Sequence, residues 1–324
     1  MIEVKGRNGI SAKIVLHSKS SVDGKEIVTF EVPHHRWILA EINKHRIFSN
    51  NYQSSRAVPV KRVLEFIRKS PAMPVHWGKK QSGMQAEEEC HSLVDYPEKG
   101  YSLTPHNAWC KLANYVADAA ERFDKAGYHK QIVNRLTEPF QMTTGVITAT
   151  ELDNFYYLRR HPDAQPEIQE LADCMWEVLQ KSNPQVLREG EWHLPYVDQS
   201  SVGSKKEYRT LEGRHLQDLE EAKRVSAASV AQVSFRKLDQ SPEKVGKVWN
   251  MLVNTEQPHA VCLEHQATPI PKVHPDSRVN PEYWPEGVTH MSRNGDLWSG
   301  NFKGWIQHRQ LLPNNACWNY DGDK

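Results

Sequence analysis

Two β-like segments near the N-terminus constrain the fold most strongly. Residues 10–33 contain β-branched and aromatic residues in partial alternation, interrupted by Asp23–Gly24, a dipeptide that favours tight hairpin turns. We therefore expect two antiparallel strands there. Because most of the chain that follows has helical periodicity, the sequence predicts an α+β fold, with a mixed or antiparallel sheet packed against helices.

The helical segments are predicted from apolar spacing and from their end signals. Pro33 is expected to begin a first helix, and Thr104–Pro105 begins a long helix that ends at Gly127. That long helix is expected to turn Leu112 and Phe123 toward the core. Further helices are expected from about residue 59, in the later part of "GVITATELDNFYYL", which begins β-like, after Pro162–Asp163, and at about 216–236 and 242–254.

Besides the last 60 residues, which are rich in Pro, Asn, His and Trp, two stretches lack this periodicity. Residues 71–103 contain Pro, Gly, Gln and an acidic run, and we expect them to be mostly loop. Residues 198–206, "DQSSVGSKK", are typical of a linker between two parts of the chain. A chain of 324 residues can form one large domain or two of ordinary size.

Charge and cysteine content disfavour several classes of protein. Lysine plus arginine (41) almost balances aspartate plus glutamate (40), without a basic stripe, so binding to a nucleic-acid polymer is disfavoured. The mean hydropathy of −0.70 and the lack of a long apolar run predict a soluble protein without a membrane span. The N-terminus lacks a signal-peptide pattern, and the five scattered cysteines form no CxxC pair. We expect a cytoplasmic protein with free thiols and no metal site.

The stretch "NKHRIFSNNYQSSRAVPV", Asn43 to Val60, concentrates groups that bind anions. Arg46 and Arg56 lie ten residues apart, and each guanidinium can pair with phosphate oxygens while serine hydroxyls supply further donors. The stretch therefore favours a site for two phosphate groups. A solvated helix end followed by a polar turn explains the same composition, and both readings stay open on the residues alone.

Two later arginines and one histidine are further candidates. Arg135 in "HKQIVNRLTEPF" and Arg159 in "NFYYLRRHPDAQPEI" are flanked by apolar residues, where an unpaired charge is costly, so each binds a ligand or forms a structural ion pair. His265 in "AVCLEHQATP" follows an apolar run, which by itself favours a buried core histidine. GxxxxGK, GxGxxG and GxSxG motifs are absent.

These residues resemble the signatures of one known family, the flavin-dependent thymidylate synthases (ThyX). "KHRIFSNNYQSSR" is similar to the RHRxxSxxxxSxR motif, with Lys44 in place of the first arginine. A second block follows in the family's order. The matching positions are His45, Arg46, Ser49, Ser54 and Arg56 in the motif, and Arg135, Asn154, Leu158, Arg159, Ala164, Gln165, Glu167 and Ile168 in the second block.

The resemblance also implies a rearranged order of segments. The family's "ARVSY"-like and "PFEH" stretches normally precede the motif, whereas here "VAQVSF" and "PHAVCLEHQATP" follow it and place Ser234, Glu264 and His265 at the matching positions. We therefore expect a catalytic core at 1–200 and a segment at 207–324 that replaces the usual N-terminal part and packs into the same core. "PVHWGKKQSGMQA" and "GEWHLPYV" are similar to the larger phage-type and actinobacterial-type branch.

The implied reaction is reductive methylation of dUMP at C5. Methylenetetrahydrofolate provides the carbon, reduced FAD the hydride, and NADPH reduces the flavin again. Family members are homotetramers whose sites form between subunits, and a phage-encoded member would work in the host cytoplasm. The implied substrate-binding residues are Glu41, Ser54, Ser55, Arg56, Arg135 and Arg159; the implied cofactor-binding residues are Lys44, His45, Arg46, Asn51, Asn154 and Ser234; and the implied catalytic residues are Arg159, at the uracil ring, and His265, near flavin and folate.

Besides Lys44, four positions depart from the family pattern. Tyr52 replaces a glutamate, Glu41 a glutamine, Asp163 a histidine and Thr148 an asparagine. Because a carboxylate can accept a hydrogen bond from the amino group of cytosine, Glu41 keeps dCMP open as the substrate. A hydroxymethyl product and a catalytically silent homologue that binds a nucleotide also stay open.

Overall fold

A mixed sheet with two ten-residue strands organises the fold. The computed structural model describes residues 2–202, 205–233, 238–256, 258–274 and 278–317. The strands are β1 (Glu3–Lys5), β2 (Ser11–Ser20), β3 (Glu26–His35), β4 (Ser49–Tyr52), β5 (Val94–Tyr96), β6 (Tyr101–Leu103), β7 (Met142–Ala149), β8 (Gln185–Leu187), β9 (Val197–Val202), β10 (Lys205–Thr210), β11 (His215–Leu216), β12 (Ala267–Pro269), β13 (His290–Met291), β14 (Leu297–Ser299), β15 (Phe302–Lys303) and β16 (Trp305–Gln307).

The helices are interspersed among these strands, together with several short 3-10 turns. The α-helices are α1 (Leu39–Asn43), α2 (Val60–Lys69), α3 (Pro105–Lys125), α4 (Lys130–Val133), α5 (Asp153–Arg159), α6 (Pro166–Gln180), α7 (Leu219–Ala231) and α8 (Pro242–Leu252), and 3-10 turns at Arg36–Ile38, Asn134–Phe140, Ala260–Glu264 and His308–Leu311 bear on the site.

The main sheet has the strand order β1-β2-β3-β7-β4, and β8 pairs with β2. The pairing of β8 with β2 is parallel, whereas the neighbours along the main path are antiparallel. This mixed sheet confirms the predicted α+β class. The hairpin predicted over residues 10–33 is confirmed as β2 and β3.

The two faces of this sheet are covered by different parts of the chain. On one, the α6 face, Phe30 of β3 and Ile147 of β7 pack against Ile168 and Leu171 of α6. Because side chains alternate along a strand, neighbouring residues point the other way. On that opposite face Ile27 packs with residues from the second half of the chain, which are Leu187, Ala267, Phe302 and Trp305.

α2 packs against α3 through small residues. Ala113, Ala117 and Ala120 are fully buried, while Leu112 and Phe123 of α3 are 48% and 41% exposed. The predicted orientation of those two large side chains was therefore wrong. The physical reason is that alanines at helical spacing allow α2 to approach closely, which turns the bulky residues outward. The Thr104 cap is confirmed, because its hydroxyl accepts from the Asn107 N–H.

Two other local predictions were also wrong. Pro33 lies inside β3 and starts no helix; it is tolerated there because it lies beyond Glu31, where the pairing of β3 with β2 ends. Residues 198–202 lie in β9 and residues 205–206 lie in its antiparallel partner β10, so these parts of the predicted linker are paired strand. That strand pair crosses the expected boundary between 1–200 and 207–324, and the domain division stays a prediction.

No helix within the described ranges is long and apolar enough to cross a membrane. In the same part of the chain, no three His, Cys, Asp or Glu side chains are grouped as metal ligands would be.

Candidate active site

The turn that follows α1 carries the first group of predicted residues. Lys44 Nζ lies 2.8 Å from Glu41 Oε1, one turn back, and Arg46 is exposed. His45 is buried, with its ring centroid 5.6 Å from that of Phe48 and 5.0 Å from that of Phe155. The aromatic contacts orient the imidazole, while its two cationic neighbours in sequence face solvent.

Arg159, at the last position of α5, reaches this turn from 114 residues away along the chain. Its Nε donates to His45 Nε2 at 2.9 Å, and its Nη2 donates to Glu41 Oε2 at 3.4 Å. We call Glu41, Lys44, His45 and Arg159 the arginine cluster. Since Nε2 of His45 accepts a hydrogen bond, the imidazole is neutral and its proton is on Nδ1.

The electrostatics of the arginine cluster follow from burial and from these charges. Burial, reinforced by the positive charge of Arg159, lowers the pKa of His45 to about 4. The hydrogen bond from Lys44 is the main cause that lowers the pKa of Glu41. Near neutral pH the cluster therefore contains two cations, one carboxylate and a neutral imidazole.

A second group of predicted residues lies in the loop after β4. We call Ser54, Ser55 and Arg56 the serine loop. The Arg56 N–H donates to Ser54 Oγ at 3.3 Å, and Ser55 is buried while the Arg56 side chain is exposed. The hydroxyl therefore fixes the backbone of the loop, and the guanidinium stays on the surface.

Asn134 joins the serine loop to the turn that carries Arg135. Its Nδ2 donates to the carbonyl oxygens of Ser55, at 2.6 Å, and Val58, at 3.0 Å, and it is almost fully buried. Arg135, the next residue, is exposed like Arg56. The fold thus brings these two predicted phosphate-binding arginines onto adjacent surface segments.

A cavity of about 300 Å³ opens beside the serine loop, at the lower end of the range for small-molecule sites. Its polar lining includes Ser55 with Arg36, Gln53 and Gln141. Arg36 Nε lies 3.3 Å from Glu138 Oε1, which holds the guanidinium at the wall. A second cavity, of about 720 Å³, adjoins the first, because Phe66, Met142 and Thr144 line both.

Sequence reasoning missed Arg36 and Asn134. Asn134 carried a usable signal, because it directly precedes the motif residue Arg135. Arg36 carried none, because it fell inside the helix that was predicted to begin at Pro33. Gln53 and Gln141 gave no comparable signal, because a single amide in a polar loop has no spacing that distinguishes it.

Comparison with known protein families identifies the family of this chain. The model of the family Thy1, "Thymidylate synthase complementing protein", matches residues 5–185, which is more than half of the chain. The chain belongs to the Thy1 family. This is the ThyX family that the two sequence blocks predicted, so that prediction is confirmed.

Other comparisons are more distant. A search of curated proteins finds no match. Among solved structures, the chain is similar to a UMP/dUMP methylase PolB from Streptomyces cacaoi bound with 5-Br UMP, with 17% identity and a TM-score of 0.40 over 54% of this chain and 90% of that one.

The other predicted site residues of this Thy1 chain take no part in the hydrogen bonds of the arginine cluster. Asn51 Nδ2 donates to the backbone oxygen of Val230 at 3.0 Å, and Asn154 is exposed on α5. His265 is fully buried and its Nδ1 lies 2.9 Å from Thr148 Oγ1; burial lowers its pKa to about 3. Ser234 lies outside the described residues. No contact within the described ranges joins His265 to Arg159 directly.

Tyr52, which departs from the family pattern, is packed over a glycine. Its ring lies where a Cβ on Gly145 would be, directly across from it in the β4–β7 pairing. The His34 ring lies edge-on to the Tyr52 ring, with 5.5 Å between the ring centroids. Burial raises the pKa of the Tyr52 phenol well above its usual value. Tyr52 therefore acts as a neutral side chain packed between strands.

Proposed function

We propose that this Thy1 protein is a flavin-dependent thymidylate synthase that methylates dUMP at C5, with methylenetetrahydrofolate as carbon donor and NADPH as reductant. The observation that carries the proposal is the arginine cluster. Arg159, the motif residue of the second block, meets His45 of the first block and Glu41, which lies three residues before that block. Two sequence blocks that match one family thus converge on a single set of charges.

In this proposal the serine loop and Arg135 hold the nucleotide phosphate. Arg56 and Arg135 expose their guanidinium groups on segments that Asn134 holds together. Guanidinium forks suit phosphate oxygens because two N–H groups can donate in parallel. Ser54 and Ser55 add hydroxyl groups, and the 300 Å³ cavity beside Ser55 offers space for an adjoining part of the ligand.

Arg159 is proposed to act on the pyrimidine ring. Its partners Glu41 and His45 fix the direction of the guanidinium, so that it need not reorganise when negative charge develops on the ring as C5 becomes nucleophilic. Glu41 and His45 then serve as positioning groups. Because a neutral His45 accepts from Arg159, it leaves the positive charge of the cluster on the arginine.

The residues at the end of α1 fit a bound flavin nucleotide. Lys44 and Arg46 place two exposed cationic side chains on one turn beside the cluster, which suits the phosphates of FAD. When bound, reduced FAD supplies the hydride, and methylenetetrahydrofolate supplies the one-carbon unit. The amide of Asn51 is engaged by Val230, so this residue would support α7 beside the cofactor, and Asn154 is exposed enough to contact it.

The segment 207–324 is proposed to replace the family's usual N-terminal part, with Ser234 on the cofactor side and His265 on the flavin and folate side. We also propose a homotetramer with sites shared between subunits. The exposed positions of Arg46, Arg56 and Arg135 support that arrangement, because a partner subunit could complete a site around them.

A second substrate, dCMP, is favoured by one observation. Glu41 lies within 3.4 Å of Arg159 and is a carboxylate where the family usually has glutamine. A carboxylate can accept from the exocyclic amine of cytosine, which uracil lacks. Hydroxymethyl transfer is the other variant of the reaction that the same assay must separate.

The test is product analysis with purified protein. We expect visible flavin absorption, and conversion of dUMP to dTMP by mass spectrometry when methylenetetrahydrofolate and NADPH are present. Conversion of dCMP alone would assign the second substrate, and a product heavier by an oxygen atom would assign hydroxymethyl transfer. A colourless protein that gains no flavin on reconstitution and converts neither nucleotide would contradict the proposal.

A further inference from the structure

A chain of buried hydrogen bonds crosses the opposite face of the sheet and ends at His265. Ser18 Oγ lies 2.8 Å from His193 Nδ1, and His193 Nε2 lies 2.8 Å from Thr29 Oγ1. Thr29 Oγ1 lies 2.7 Å from Thr148 Oγ1, which in turn lies 2.9 Å from His265 Nδ1. All five side chains are fully buried, and Thr29 and Thr148 are direct neighbours in the β3–β7 pairing.

The direction of these hydrogen bonds follows from counting protons. Gln185 Nε2 donates to Ser18 Oγ at 3.3 Å, and the buried Ser18 hydroxyl proton itself needs an acceptor, for which its other partner, His193 Nδ1, is available. Burial lowers the pKa of His193 well below its usual value, so the ring is neutral and carries one proton. Because Nδ1 accepts, that proton is on Nε2 and is donated to Thr29.

The remaining steps follow from the same requirement that each buried hydroxyl proton has an acceptor. Thr29 Oγ1 accepts from His193, so its own proton goes to Thr148 Oγ1. Thr148 then donates to His265 Nδ1. An imidazole that accepts at Nδ1 and is neutral carries its proton on Nε2. That Nε2 is buried and has no hydrogen-bond partner among the described residues.

We propose that Ser18, His193, Thr29 and Thr148 hold His265 as the Nε2–H tautomer, so that His265 is a hydrogen-bond donor whose Nε2 cannot take a proton from a substrate. A buried N–H without a partner is unfavourable, so the group is suited to an acceptor that arrives with a ligand. A carbonyl oxygen or a pyridine-type nitrogen, as in pyrimidine, flavin and pterin rings, has that chemistry. Only this consequence for catalysis rests on the proposed function; the tautomer itself does not.

The direct test is magic-angle-spinning NMR of the full chain labelled with ¹⁵N-histidine, near neutral pH and without substrate. The His265 signals are identified as those lost in His265→Gln. We expect a pyridine-type Nδ1 and a pyrrole-type Nε2. A pyrrole-type Nδ1, or two protonated nitrogens, would overturn the proposal.

Variants of Thr148 test whether the chain sets the tautomer. Thr148→Ser keeps the hydroxyl and should keep the wild-type pattern, whereas Thr148→Val should lose it and give signals of both tautomers. An unchanged pattern in Thr148→Val would overturn the role of the chain. If Thr148→Val fails to fold, Thr29→Val frees the Thr148 hydroxyl to reorient and should weaken the pattern in the same way.

Turnover provides a separate readout. His265→Gln can still donate from a terminal amide, so it should retain more activity than His265→Leu. Equal loss in both variants would remove the catalytic role of the donor, while the NMR pattern would still decide the tautomer. A protein without activity on any pyrimidine nucleotide would contradict the proposed function and leave the NMR test intact.

Discussion

The arginine cluster and the serine loop are held in place in different ways. In the cluster, side chains hold one another: Arg159 donates to His45 and Glu41, and its side chain is only 20% exposed. In the serine loop, one buried amide holds the backbone, while the guanidinium groups of Arg56 and Arg135 are exposed. The arginine cluster fixes the direction of a charged side chain. The serine loop has a fixed backbone, but its exposed guanidinium groups can take several directions.

This difference suggests a division of work on one ligand. A charge of fixed direction suits a ring on which charge develops during the reaction, because preorganised groups need not move. Exposed guanidinium groups suit a phosphate, which presents several equivalent oxygens and tolerates variation in approach. Substitutions should therefore affect rate in the cluster and affinity in the loop.

The largest effect is expected for Arg159→Ala. Losing a preorganised charge-stabilising donor should lower kcat about 10²–10³-fold, with flavin still bound. Arg160→Ala is the matched control, because Arg160 is the next residue but pairs with Asp173 at 2.7 Å on the surface. Rates of dTMP formation and flavin absorption measure both. Nearly unchanged turnover in Arg159→Ala would remove Arg159 from the site.

Arg56→Ala and Arg135→Ala should act on affinity. Hydrogen bonds to charged groups contribute about 1.5–3 kcal/mol, so each variant should raise KM for dUMP roughly 10- to 100-fold with a smaller change in kcat. Both side chains are exposed, so unfolding temperatures should stay close to wild type. Arg209→Ala, an exposed arginine of β10 paired with Glu207, is the control. A fall confined to kcat would contradict the division of work.

Asn134→Ala should lower stability through the loop backbone. The variant leaves the buried carbonyl oxygens of Ser55 and Val58 without a donor, which costs about 1–3 kcal/mol. Chemical denaturation measures the loss. Asn114→Ala removes an exposed hydrogen bond from the side-chain amide to the backbone oxygen of Cys110 in α3, and it should lower the free energy of unfolding much less. Equal losses in the two variants would argue against Asn134 as the link.

The smallest effect is expected from the titration of His45. Its pKa is lowered to about 4 in the folded protein, so between pH 6.5 and 4 the unfolded chain binds a proton that the folded chain does not. Stability should fall as the pH drops through this window. His45→Gln can still accept a hydrogen bond from Arg159. It should reduce the slope of the free energy of unfolding against pH by at most about 1.4 kcal/mol per pH unit. An unchanged pH dependence of the unfolding free energy in His45→Gln would contradict the cluster geometry.

Local sequence patterns predicted much of the fold and the positions of the motif residues. The β2–β3 hairpin, α2, α6 and the Thr104 cap follow from alternation, apolar spacing and cap chemistry, which act over a few residues. Side-chain direction in α3 could not be predicted in this way, because it depends on how closely α2 approaches. Pro33 was misplaced because its tolerance in β3 depends on where pairing with β2 ends.

The candidate site was predictable as residues but not as contacts. The family blocks identified Arg159 and His45, yet their hydrogen bond joins positions 114 residues apart. The role of Asn134 depends on two backbone carbonyls in another segment, and no local pattern contains that information. The partner of Glu41 was also missed for this reason, although its departure from the family pattern pointed to the right region.

The most direct test of the division of work is calorimetric binding of dUMP and of deoxyuridine, which lacks the phosphate. Wild type should bind dUMP more tightly than deoxyuridine, Arg56→Ala should lose most of that preference, and Arg159→Ala should keep it, with at most a small and equal loss of affinity for both ligands. Loss of the preference for dUMP in Arg159→Ala would contradict the account. Equal weakening of both ligands in Arg56→Ala would also contradict it, because the account assigns the base to the arginine cluster and the phosphate to the serine loop.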